Sequence, residues 1–122
     1  EKVTEFLIAY TKAFKEAGAN GVVMAEPAAG LLSPSLMDDF STPYVRRIID
    51  AVEDENFIVM YHNCGNISML FDSINKVNAK AYSFGNAIDI EDGLKAVPSD
   101  RMVIGNIDPA GIFRQGTPEL VK

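Results

Sequence analysis

The chain has 122 residues, with 11 Lys+Arg against 17 Asp+Glu, a formal net charge of −6. Hydrophobic residues make up 48% and charged residues 23%, which excludes a disordered chain and suits one globular domain or part of a larger one. The acidic balance argues against a general nucleic-acid binder, the single Cys excludes an internal disulfide framework, and no apolar run is long enough to cross a bilayer.

The elements follow in chain order. From Val3 to Ala17, Val3, Phe6, Leu7, Tyr10 and Phe14 form one helical stripe that should face a core. Gly18 and Asn20-Gly21 stop that helix. Val22-Val23-Met24-Ala25 is an apolar run without alternation, as expected of a strand buried on both faces of a parallel sheet. A turn-rich stretch runs from Glu26-Pro27 to Ser33-Pro34. Ser41 or Thr42 with Pro43 opens a second helix, on which Val45, Ile48, Ile49 and Val52 recur at helical spacing. Phe57 to Tyr61 is the second strand and runs into His62-Asn63-Cys64-Gly65. Asn66 can cap a third helix that carries Ile67, Leu70, Phe71 and Ile74. Ala79 to Phe84 is a third strand, and Asp89 caps a short helix with Ile90, Leu94 and Val97. Met102-Val103-Ile104 is a fourth strand, ending at Gly105-Asn106-Ile107-Asp108-Pro109. Thr117-Pro118-Glu119 then reads as the start of another helix.

This alternation predicts an α/β fold with a parallel sheet. A (β/α)8 barrel of about 250 residues averages about 31 per unit, so four units here make about half a TIM barrel. A doubly wound open sheet fits the same alternation. Ala25-Glu26-Pro27-Ala28-Ala29-Gly30 is no G-x-G-x-x-G, which disfavours a dinucleotide-binding domain. A helix that starts at Thr117 with the chain stopping at Lys122 suggests one fragment, residues 1–122, cut from a longer barrel domain. Half a barrel leaves two open sheet edges, so self-association is expected. Acidity and the absence of a targeting segment suit the cytoplasm.

In parallel α/β folds, chemistry gathers at the carboxyl ends of the strands. Here these ends carry Glu26, His62-Asn63-Cys64-Gly65, Asn86, and Asn106 with Asp108. Turn chemistry alone accounts for Asn86, Asn106 and Asp108. His62 and Cys64 are the chain's only His and only Cys. Chance would place such a pair within two residues in about 3% of arrangements. Residues i and i+2 of an extended segment share a face, so both can meet one metal ion, and imidazole and thiolate are the preferred zinc ligands. Gly65 lets the backbone turn away. Two ligands fall short of the three that a catalytic zinc site takes, and Glu26 could add an oxygen. A Cys-His nucleophile pair and a buried thiol beside a turn His remain open as alternatives.

Several segments together resemble the uroporphyrinogen decarboxylase superfamily, in particular its cobamide-dependent methyltransferase branch. They are Gly18-Ala19-Asn20-Gly21 before Glu26-Pro27, Leu32-Ser33-Pro34 with Phe40 and Pro43-Tyr44, His62-Asn63-Cys64-Gly65-Asn66, and Gly105-Asn106-Ile107-Asp108-Pro109 with Gly116-Thr117-Pro118-Glu119. The resemblance covers nearly the whole chain and implies a (β/α)8 barrel. It implies zinc held by His62, Cys64 and a further Cys beyond Lys122. The implied reaction moves a methyl group from a methylated corrinoid protein, a separate partner, to a small thiol such as coenzyme M. The isolated fragment is then expected to lack a complete site. Glu26 could be a fourth zinc ligand or a substrate contact, and Asn63 and Asn106 could orient ligands or substrate. The decarboxylase branch, which uses no such zinc, is the alternative. It places an aspartate-containing segment where this chain has Glu26-Pro27, and its only candidate arginines here are Arg46, Arg47, Arg101 and Arg114.

Overall fold

The computed structural model describes residues 1–122. Four strands form one parallel sheet: β1 (Gly21–Ala25), β2 (Ile58–Asn63), β3 (Ala81–Phe84) and β4 (Met102–Ile104). Their order in space is their order in sequence, β1-β2-β3-β4. A doubly wound sheet reverses direction at a switch point. This sheet does not, and its sequential winding is that of part of a (β/α)8 barrel. The helices are α1 (Lys2–Glu16), α2 (Pro34–Phe40), α3 (Thr42–Val52), α4 (Phe71–Asn75), α5 (Ile90–Ala96) and α6 (Pro118–Val121). None is long and apolar enough to cross a membrane.

The two faces of the sheet differ. Val59 and Tyr61 of β2, with Tyr82 and Phe84 of β3, are fully buried and pack with α3 and α4 residues such as Ile49, Val52 and Ile74. This is the helix side, and it holds the core. The alternate residues point the other way. Val23 of β1 and Met102 of β4 are 64% and 53% exposed, and Met60 and His62 are half-buried, so the apolar run of β1 is not buried on both faces as its lack of alternation suggests: its second face has no layer over it in these residues. In a barrel this second, helix-free face is the interior.

Three further expectations are corrected. The stripe of α1 is left uncovered: Val3, Phe6, Tyr10 and Phe14 are exposed and Leu7 is half-buried, with Leu7, Tyr10 and Phe14 flanking β1 across an open cleft, while Thr4 and Thr11 are buried. Helix α1 packs on α3 through its threonine side, and Lys15 pins it by donating to Val52 O at 2.9 Å and pairing with Asp54 at 2.5 Å. The exposed rings stack on one another instead, Phe6 on Tyr10 and Tyr10 edge-on to Phe14. Second, Asn66 does not cap a helix, since its Oδ1 accepts from Ser68 N at 3.3 Å in a local turn and α4 begins only at Phe71. Ile67, Leu70 and Ile74 are buried nonetheless. Third, the turn-rich stretch from Glu26 to Pro34 holds a single 3-10 turn over Pro27–Leu31, and at its end Ser33 caps a helix that the sequence reading does not predict, α2, with Ser33 Oγ accepting from Leu36 N at 3.3 Å.

Candidate functional site at the carboxyl ends of the strands

Strand β2 carries the site. It pairs with β1 on one side and β3 on the other, with His62 opposite Ala25 and Ser83. Alternation along β2 buries Val59, Tyr61 and Asn63 on the helix side and turns Met60 and His62 to the barrel interior. The His62 Nδ1 lies 3.0 Å from Ser83 Oγ. Its Nε2 makes no hydrogen bond within the chain, so it is the nitrogen available to a ligand.

Cys64 stands one step past the strand. Asn63 O accepts from Gly85 N at 3.0 Å, so the pairing with the β3 side continues to the end of β2. Cys64 therefore sits beside Gly85, and the alternation that turns His62 inward carries Cys64 inward too. Its thiol is free and half-buried. Two glycines make room for it. A Cβ on Gly85 would lie 3.1 Å from both Cα and Cβ of Cys64, and one on Gly30 would lie 2.8 Å from Cys64 O. Gly65 serves differently: nothing crowds it, but its φ of +81° is the left-handed turn that takes the chain away after the thiol.

The other predicted residues are placed elsewhere. The Glu26 carboxylate does not join His62 and Cys64. It accepts from Tyr61 Oη at 2.5 Å and from Ser41 Oγ at 2.7 Å, on the helix side of the sheet. It lines a cleft of about 320 Å³ between α1 and α3, with Thr4, Leu7 and Tyr44. Burial first, and the Glu26 carboxylate second, push the Tyr61 phenol well above the usual tyrosine range. Asn63 is fully buried on that same side, and neither amide atom has a hydrogen-bond partner. Asn63 thus faces away from His62 and Cys64. The Asn106 Nδ2 donates to Gly85 O at 3.1 Å and Ile88 O at 2.7 Å, tying the end of β4 to the loop after β3. Asp108 accepts from Ala110 N at 2.9 Å, a turn role.

No three His, Cys, Asp or Glu side chains are placed together to hold a metal ion. His62 and Cys64 fit a zinc site as two of its ligands: a soft sulfur and an imidazole whose other nitrogen is already engaged. Sequence reasoning missed Ser83. A small polar residue between Tyr82 and Phe84 in an otherwise apolar strand, at the position that registers with the only His, was the available signal.

A sequentially wound parallel sheet with its polar residues gathered at the strands' carboxyl ends defines part of a (β/α)8 barrel. The pattern that defines the family Uroporphyrinogen decarboxylase (URO-D) matches residues 1–122, and the chain belongs to that family. Among similar proteins, Methylcobamide:CoM methyltransferase MtbA of Methanosarcina acetivorans is 30% identical over 118 residues, covering 95% of this chain and 34% of the relative. The MtbA of Methanosarcina mazei is 29% identical, covering 97% and 35%. Uroporphyrinogen decarboxylase of Desulfotalea psychrophila is 34% identical over 113 residues, covering 93% and 33%. The chain thus spans about a third of the length of the curated relatives it matches.

Proposed function

We propose that the protein is a zinc-dependent methyltransferase that moves a methyl group from a methylated corrinoid protein to a small thiol such as coenzyme M. The observation that carries this reading is the chain's only His and only Cys, presented from the end of β2 to the helix-free face. The likeness to two proteins named methylcobamide:CoM methyltransferase supports it.

Zinc held there supplies Lewis acidity that lets a substrate thiol ionise near neutral pH. His62 offers Nε2 and Cys64 its thiolate, and both are free of competing partners. A catalytic zinc site takes three protein ligands. The third, a Cys, is proposed to lie outside these 122 residues, so the segment alone holds an incomplete site. Glu26 and Asn106 act as supports: one anchors the loop after β1 to the helix layer, the other anchors the end of β4. The corrinoid protein would dock at the barrel mouth, where the strand ends open. A reducing, cytoplasmic setting suits the free Cys64 thiol.

The test is zinc content of the complete natural protein beside its Cys64→Ser variant. About one zinc per chain, lost in the variant, is the expected result. No zinc in either protein overturns the proposal. The second reading, a metal-free decarboxylase, then takes its place, favoured by the 34% identity to a uroporphyrinogen decarboxylase.

A further inference from the structure

We infer that Ser83 is a positioning residue for His62, setting which ring nitrogen faces the barrel interior. This inference rests on the zinc reading for its purpose and on geometry for its substance. Ser83 stands opposite His62 in the β2–β3 register, and its Oγ is 3.0 Å from His62 Nδ1. Both residues are on the helix-free face, whereas Tyr82 and Phe84, either side of Ser83, are buried in the core. The neutral imidazole carries one proton. If Nδ1 holds it and donates to Ser83 Oγ, the lone pair is left on Nε2, pointing to the same face as Cys64. Backbone pairing fixes Ser83, so the ring is held in rotation as well as in tautomer. A ligating histidine ordinarily gives its second N–H to an oxygen in this way, and loss of such a partner costs 10–100-fold in metal affinity. The partner here is a cross-strand hydroxyl and not a carboxylate.

The experiment compares the complete natural protein with Ser83→Ala and Ser83→Thr. Long-range proton–nitrogen correlation spectra of the metal-free proteins report the His62 tautomer, with His62 assigned by the loss of its signals in His62→Gln. Chelator competition reports zinc affinity. In Ser83→Ala we expect the proton to move toward Nε2 and zinc affinity to fall about 10–100-fold. Ser83→Thr, which keeps the hydroxyl and suits a strand, should restore both. An unchanged tautomer in Ser83→Ala overturns the inference, whatever happens to affinity. So does a loss in affinity that Ser83→Thr fails to restore. A protein that binds no zinc but whose tautomer shifts in Ser83→Ala defeats the zinc reading while upholding the hold of Ser83 on His62.

Discussion

At the residue scale, the site depends on what is missing from its neighbours as much as on its donors. Cys64 is wedged between two glycines. A methyl on Gly85 would meet its Cα and Cβ at 3.1 Å, closer than side chains normally approach, and neither atom is a flexible tip that can swing aside. Gly85→Ala must therefore push the thiol's backbone. Overpacking of this kind costs typically 1–3 kcal/mol. It should also move Cys64 relative to His62, and small displacements of a ligand weaken a metal site. The expected outcome is a lower melting temperature together with a lower zinc affinity. A Gly85→Ala protein with native affinity would show that Cys64 is not a ligand or that the wedge is loose. Gly65→Ala makes the useful contrast. Its cost comes from the φ of +81° and not from crowding, so it strains the turn after the thiol and meets no neighbour.

At the element scale, the distinction between legible and hidden features is physical. Helix α3 was legible because its stripe Val45, Ile48, Ile49 and Val52 is also the face it buries. The strands were legible because each is a short apolar run between turn formers. The orientation of α1 was not, since its stripe is apolar but its buried face is Thr4 and Thr11. Periodicity reports which side of a helix is greasy, and a partner must decide which side is covered. The direction of Glu26 was hidden for a related reason: the strand end was plain, but its hydroxyl partners Tyr61 and Ser41 lie 35 and 15 residues away in sequence. His62 and Cys64 were legible through their rarity and spacing. Helix α1 is instead secured by polar contacts, which gives it a pH dependence. The Lys15 ammonium holds the Asp54 carboxyl below the usual carboxylate range, with the Asn56 amide adding to it. Away from α1, Lys76, then Ser73, does the same for Asp38, where α2 meets the end of α4. A depressed folded pKa means that this stability is complete above the unfolded value of 3.8 and is lost as pH falls through the folded value. Unfolding followed by circular dichroism should show stability decreasing below about pH 4, with a shallower decrease in Asp54→Asn. Asp54 is solvent-exposed and Asp38 partly so, so salt should blunt the effect, most at Asp54. An acid limb identical in the variant would remove Asp54 from the account.

At the scale of the whole molecule, these 122 residues show three surfaces that a closed barrel covers. Strands β1 and β4 each pair on one side only. The helix-free face bears Val23, Met102 and Ile104, exposed by 64%, 53% and 37%. The rings of Tyr10 and Phe14, with Phe6 stacked on Tyr10, flank the open edge of β1. Unpaired edges template pairing with another chain, and contiguous apolar patches drive association. The net charge of −6 opposes both, because copies repel. The two effects separate with salt. Screening shortens to about 3 Å at 1 M, which removes the repulsion and leaves apolar burial intact. The segment expressed by itself at micromolar concentration should therefore elute above its 13.3 kDa monomer, and more so as salt rises. Charge placed on the bare face and edge strands, as in Val23→Lys with Met102→Glu, should return it toward the monomer. A monomer at every salt concentration would defeat the prediction, and association that weakens with salt would mean ion pairs, not the uncovered sheet, bring the copies together.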